Sequence, residues 1–183
     1  MISRDEALKL VKKHIKNKNL QKHMIAVEGV MRRLAREFGE DEEVWGITGL
    51  LHDLDYDLTA DDFPRHGYTT TEMLQGEDVT PDMLQAIICH PGHCPAESKL
   101  EQALYAADPV TGLIVAAVLM HPEKSLKAVD VDFLERRFKE KRFAAGADRD
   151  QIASCERLGI SLPEFFQMSL EGMRDRSDEL GLG

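Results

Sequence analysis

The residues most able to do chemistry are histidines and aspartates scattered between His23 and Asp108. His52 and Asp53 adjoin in the run Leu50-Leu51-His52-Asp53-Leu54-Asp55-Tyr56-Asp57, where an apolar helical stretch gives way to an acidic loop. Imidazole and carboxylate together suit a divalent transition metal or Mg²⁺. One such pair cannot fill a coordination sphere, so partners must arrive from elsewhere in the chain. His23 lies in line with Val27, Val30 and Leu34 and therefore faces near the apolar side of a helix. Asp108 closes the apolar turn Leu104-Tyr105-Ala106-Ala107-Asp108, where a lone buried carboxylate is expensive and calls for a partner or a metal. Because Pro109 follows, Asp108 also fits a helix N-cap with proline in the first position.

The elements that must position these groups read as helices. Ser3-Arg4-Asp5-Glu6 predicts a capping box opening a first helix to about Lys16. A second helix runs from about Leu20 to Phe38 on the face Leu20, Met24, Val27, Met31, Leu34 and Phe38, and Gly39 ends it. Asp41 caps a third, which ends near Asp53. Leu54 to Arg65 reads as an acidic loop closed by Pro64. Thr69-Thr70-Thr71-Glu72 offers another capping box, and Thr80-Pro81 opens a helix to about His90 that Pro91-Gly92 breaks. Ser98 starts a long helix past Asp108 towards Met120. Weaker helices are predicted at about Ser125 to Val129, Asp132 to Lys141, Asp148 to Leu158 and Ser161 to Leu180. No run alternates with period two, so the fold is expected to be all-α.

Bulk properties narrow the partners. A formal net charge of -10 over 183 residues argues against binding long nucleic acid, where a basic face supplies most of the affinity. It leaves room for a small anionic substrate beside a metal. Three cysteines (Cys89, Cys94, Cys155) and no signal peptide suggest a reducing, cytoplasmic setting. No apolar run reaches the roughly 18 residues of a membrane helix, the longest being around Leu113 to Met120. The spacing in Cys89-His90-Pro91-Gly92-His93-Cys94 matches no usual zinc finger, and His93 is expected at the rim of a cleft. The one dense basic stretch, Arg136 to Arg149, is expected to close over that cleft, with Lys139 and Arg142 as phosphate contacts, or to be a solvated helix face.

On His23, then His52-Asp53, then Asp108, with separations of 29 and 55 residues, the chain resembles the HD-domain metal-dependent phosphohydrolase superfamily over roughly residues 20 to 120. The resemblance implies a single all-helical domain: a bundle with a divalent metal (Mn, Mg, Co, Ni, Zn or Fe) in its core, and a helical C-terminal extension over about 121–183. It implies His23, His52, Asp53 and Asp108 as ligands. Some branches hold a second ion with two added histidines, and His66 and His90 occupy the corresponding interval; Asp53 would then be the shared ligand, because a carboxylate bridges where a neutral imidazole cannot. The implied reaction is hydrolysis of a small phosphate ester, with a nucleotide the expected class. A metal lowers the pKa of its water and polarises the phosphoryl group, and a nearby carboxylate steers the proton; Asp57 is the expected carboxylate, beside Asp53. Many members carry a lysine soon after the His-Asp pair, and Leu54-Asp55-Tyr56-Asp57 has none. Two alternatives use the same scaffold: an oxygen-activating two-iron oxidoreductase, and a regulatory module that binds a nucleotide without turnover.

Overall fold

Two glycines decide how the longest contacts in the molecule are made. The computed structural model describes residues 1–183. Its helices are α1 (Arg4–His14), α2 (Lys18–Phe38), α3 (Glu42–Leu51), α4 (Tyr56–Thr59), α5 (Tyr68–Met73), α6 (Pro81–Cys89), α7 (Lys99–Met120), α8 (Val131–Lys139), α9 (Arg149–Ala153), α10 (Leu162–Arg174) and α11 (Ser177–Leu180), with no strand. A methyl group on Gly29 of α2 would run into the Gly172 carbonyl of α10, and one on Gly172 into the Gly29 carbonyl. The two backbones therefore touch. Gly49 of α3 does the same service on another face of α2: a Cβ there would lie 2.9 Å from Met31 and 3.0 Å from the Val27 carbonyl oxygen. With α7 also against it, α2 is the axis of the bundle.

Start signals in the sequence form as predicted for α1, α3, α6, α7 and α10, where Ser3, Asp41, Thr80, Ser98 and Ser161 accept backbone N–H groups of their own first turns. Asn17 caps α2, and Gly39 ends it in the left-handed region at φ 67°. Other expectations are corrected. The Thr69–Glu72 capping box does not form; α5 opens after Gly67, and its amides go elsewhere. The loop after Asp53 contains α4 and a 3-10 turn at Phe63–Arg65. Ser125 to Val129 makes turns only, since too few residues remain between two chain reversals for a helix to close.

The segment after Met120 is no appendage. Leu126, Leu134, Ile152, Phe165, Phe166 and Met173 are buried in the same apolar cluster as Val27, Leu50 and Leu104. It is also tied by charge. Glu28, fully buried on α2, accepts from Arg4 at 2.7 Å and Arg32 at 2.8 Å, and from Arg176 at 3.4 Å just before α11. A buried carboxylate is tolerable only when paired in this way.

The apolar stretch expected around Leu113 to Met120 is the end of a longer element. By length and composition α7 could cross a bilayer, yet more than half of its apolar window is buried against the other helices, as suits a core helix. A reducing setting would leave the thiols free, whereas the structure joins Cys89 to Cys94 and leaves Cys155 free and buried.

Gly29→Ala should force α2 and α10 apart and cost about 1–3 kcal/mol, the usual range for overpacking. Urea unfolding should show the midpoint falling with little change in slope; an unchanged midpoint would mean that the backbone contact contributes nothing.

Candidate metal centre

Five side chains from four helices and one turn converge around the Asp53 carboxylate. His23 comes from the second turn of α2, His52 and Asp53 from the end of α3, His66 from the turn before α5, His90 from the end of α6, and Asp108 from mid-α7. His52 Nε2 lies 3.4 Å, His66 Nε2 3.2 Å and His90 Nε2 3.3 Å from Asp53 Oδ1. His23 Nε2 lies 3.5 Å from Asp53 Oδ2, 3.0 Å from Asp108 Oδ1 and 3.3 Å from His52 Nε2. The ligand atoms fall into two sets: His23, His52, Asp53 and Asp108, and Asp53, His66 and His90. Asp53 belongs to both.

The other nitrogen of each ring fixes what these atoms are. His52 Nδ1–H donates to the Gly49 carbonyl at 2.7 Å and His90 Nδ1–H to the Ile87 carbonyl at 2.6 Å. His66 Nδ1–H donates to Asp55 at 2.8 Å. His23 Nδ1–H donates at 3.0 Å to the Thr111 hydroxyl, whose own proton goes to the Asp108 carbonyl. With Nδ1 as the donor, each ring in its neutral form turns a bare Nε2 lone pair inward, onto carboxylate oxygens that are acceptors too. Acceptors facing acceptors at these distances repel unless a cation sits among them. Nitrogen and carboxylate donors with the far ring nitrogen bonded to a carbonyl or carboxylate are what a divalent metal takes, so the residues present fit it.

Electrostatics point the same way. Burial works against charge on every one of these groups, and the pairing outweighs it. The carboxylates of Asp108 and Asp53 raise the His23 imidazole to about 9, and those of Asp53 and Asp55 raise His66 to about 9. His52 is raised well above its ordinary value, while the imidazoles hold Asp53, Asp55 and Asp108 below the usual carboxylate range. The pocket thus holds positive charge strongly, as protons or as metal.

Several parts of this site were not visible in the sequence. Asp55 is fully buried and accepts from His66, from the Gly67 amide at 2.7 Å and from the Thr70 amide at 3.0 Å. One carboxylate so caps α5 and aims His66. Gly67 makes this possible at φ 84°, where a side chain would also strike the Ile87 carbonyl. Asp108 is not an N-cap: α7 runs on through Pro109. Proline has no N–H for the Tyr105 carbonyl four residues back, and Gln151 of α9 donates to that oxygen at 2.8 Å instead. This draws Gln151 to the wall of the cavity beside the metal ligands.

Other expected site residues lie apart from the cavity. Asp57 is exposed, accepts the Lys16 backbone N–H at 2.9 Å, which fastens the turn after α1, and does not line the cavity. Lys139 and Arg142 are exposed and do not line it either. Of their stretch Gly146 alone does, because Arg149 donates to the Phe138, Ala144 and Ala147 carbonyls at 3.0, 2.9 and 2.8 Å and gathers the loop around itself. His93 Nε2–H donates to the His66 carbonyl at 2.9 Å and its ring stacks on Tyr68, so it backs the ligand from outside.

An all-helical bundle with this histidine and aspartate cluster in its core defines a class, and comparison with known proteins agrees. The sequence model of the HD domain matches residues 20–119, more than half of the chain, and the protein belongs to that family. Ribonuclease Y of Sulfurovum sp. (strain NBC37-1) is 29% identical over 135 residues, which cover 72% of this chain and 26% of that protein. The chain spans about a quarter of the length of that relative. No solved structure matches it significantly.

Two measurements check the centre. Elemental analysis should give metal that falls sharply in His52→Ala and Asp53→Ala, and Asp55→Asn should weaken retention by about 10–100-fold as a misaimed outer partner does; full metal content in both ligand variants would sink the assignment. Protons and metal compete for the same lone pairs. Folded imidazoles at about 9, against 6.5 for the ordinary group, stabilise the metal-free protein fully below pH 6.5 and lose that contribution as pH rises through 9. The chelated protein should therefore melt at lower temperature as pH rises across this window, while the gain on adding Mn²⁺ grows. At free metal 100-fold above its Kd the gain should be about 2.7 kcal/mol.

Proposed function

We propose that this protein is a divalent-metal-dependent phosphohydrolase acting on a small phosphate ester. One observation carries the reading: two ligand sets share the Asp53 carboxylate, and their exposed members are His23 and Asp108. His52, His66, His90 and Asp53 are nearly or fully buried, whereas the His23 and Asp108 side chains keep 24% and 27% of their surface exposed, on a cavity of about 480 Å³. Substrate would meet the ions there.

Ions bound in these sets would supply Lewis acidity towards a phosphoryl oxygen and lower the pKa of water beside it. The protein's own part is positioning. Backbone carbonyls at Gly49 and Ile87 lock two rings, Asp55 locks a third, and Thr111 locks the fourth, so the donor set is fixed before a ligand arrives. The ends of α3 and α6 and the middle of α7 are rigid supports, and α4 with the following turn closes the cavity from the side. Membership of a family of mostly metal-dependent hydrolases supports the reaction class, and the name of the ribonuclease relative supports phosphate ester cleavage in general. The net charge of -10 favours a small ester over a long RNA.

A second reading, oxygen activation by two irons, needs His66 and His90 as ligands, and the geometry meets that need. The test separates the two. Protein reconstituted with Mn²⁺, Co²⁺ or Mg²⁺ should release phosphate from a panel of small esters, and Asp53→Ala should fall to the background rate. No release under any of these metals, with iron-dependent absorbance changes on exposure to air, would favour the oxidative reading; tight nucleotide binding with no turnover would favour a regulatory module.

A further inference from the structure

The walls of the centre contain no permanently charged cation. The cavity of about 480 Å³ has neither lysine nor arginine in its lining. A second cavity of about 400 Å³ shares His23, Asp108 and Gly146 with it, has walls of small apolar residues such as Gly112 and Ala116, and lacks both as well. Basic residues near in sequence are engaged elsewhere: Arg65 pairs with Glu72 at 3.3 Å, and Arg149 is saturated by backbone carbonyls. The segment in front of the cavity is acidic instead, with Asp57, Asp61 and Asp62 all exposed.

That same segment exposes apolar surface. The large hydrophobic side chains left in water are Met1, Leu119 and Met120, and then Tyr56 (44% exposed), Leu58 (68%), Phe63 (57%) and Tyr68 (43%) within one short stretch. Tyr56 and Phe63 line the cavity, and their ring centres lie 5.7 Å and 6.1 Å from that of the ligand His66. Water-exposed rings gathered beside a reactive centre are a costly surface for a free protein and a good platform for a flat ligand.

We propose that the ester taken by this centre carries a single phosphate on an uncharged aromatic arm, and that Tyr56 and Phe63 select that arm by stacking. The proposal rests on the hydrolase reading for its chemistry but on the cavity walls for its selectivity. One phosphate meets the metal ligands. A second would be taken out of water with no cation to pair it and would lie near carboxylates, which is unfavourable on both counts. A planar arm gains contact that an alkyl arm cannot.

The test uses the full chain loaded with Mn²⁺ and five esters: phenyl phosphate, glycerol 2-phosphate, AMP, ADP and ATP. kcat/KM should be at least about tenfold higher for phenyl phosphate than for glycerol 2-phosphate, and for AMP than for ADP or ATP. Phe63→Ala and Tyr56→Ala, both at exposed positions, should raise KM for phenyl phosphate about tenfold while kcat changes less, in line with the loss of one stacking contact. Ala60→Lys, which places a cation in the lining, should narrow the gap between AMP and ADP. Binding is read separately by calorimetry with phenylphosphonate and methylphosphonate, neither of which is hydrolysed. Tighter binding of phenylphosphonate, weakened in Phe63→Ala, with no ester turned over, would defeat the hydrolase reading and leave the selectivity standing. Turnover of ADP or ATP at least as good as AMP, or equal binding of the two phosphonates, would overturn the selectivity and leave the hydrolase. If neither phosphonate binds, the selectivity also fails.

Discussion

Four imidazole lone pairs aimed at one carboxylate form the constraint on which the rest of this molecule is arranged. Left to themselves these acceptors repel, and a cation, proton or metal, is needed among them. The fold spends its backbone polarity on keeping them there. Carbonyl oxygens at Gly49 and Ile87 each sit three residues before the histidine they orient, at the last turn of α3 and of α6, where helical carbonyls have no intrahelical partner. Two helix ends thus satisfy their own dangling acceptors and fix the direction of a ligand with the same bond. That economy explains why both histidines stand at helix C-termini rather than in helix interiors.

The remaining two rings are aimed by side chains, and each brings a larger part of the fold with it. Asp55 cannot hold His66 without Gly67 turning into the left-handed region and α5 offering its amides. His23 needs Thr111 one turn from Asp108, and so needs α7 to continue helically across Pro109. Gln151 makes that continuation tolerable by taking over the Tyr105 carbonyl. The C-terminal segment therefore reaches the centre in two ways, through Gln151 at the cavity wall and through α10, whose backbone contact with α2 sets where His23 stands.

What the sequence made legible follows from how local each feature is. Helix starts at Ser3, Asp41, Thr80, Ser98 and Ser161 are written within four residues and formed as read. The ligands of the first set could be found because histidine and aspartate at helical positions on apolar faces are unusual, and because the resemblance to a known family supplied the distances between them. Asp55 and Asp57 show the limit. They are the same residue type, two apart, in one acidic loop, yet Asp55 is buried against His66 and Asp57 is exposed away from the cavity lining. What separates them is whether the Gly67 and Thr70 amides or the Lys16 amide arrives, and those come from segments that the loop itself does not specify. Lys139 and Arg142 misled for a related reason. A basic run in an acidic chain suggests an anion site, but Arg149 turned the loop inward around its own guanidinium and left Lys139 and Arg142 facing water.

The missing lysine after the His-Asp pair then acquires a physical meaning. In its place the loop carries Tyr56, and beyond it Phe63, with aspartates between them and no basic side chain reaching the cavity. If the proposed phosphate chemistry holds, such a lining offers no lysine or arginine to a second anionic group and leaves discrimination to shape and apolar contact. The metal ligands and the substrate wall are consequently separable. The first are fixed by helix ends and buried bonds that tolerate little change, whereas the second is an exposed loop whose side chains touch the core hardly at all. Substitution at the exposed Tyr56 or Phe63 can alter the cavity wall without disturbing how His66 is held, because that ring is held by the buried Asp55 and Thr59.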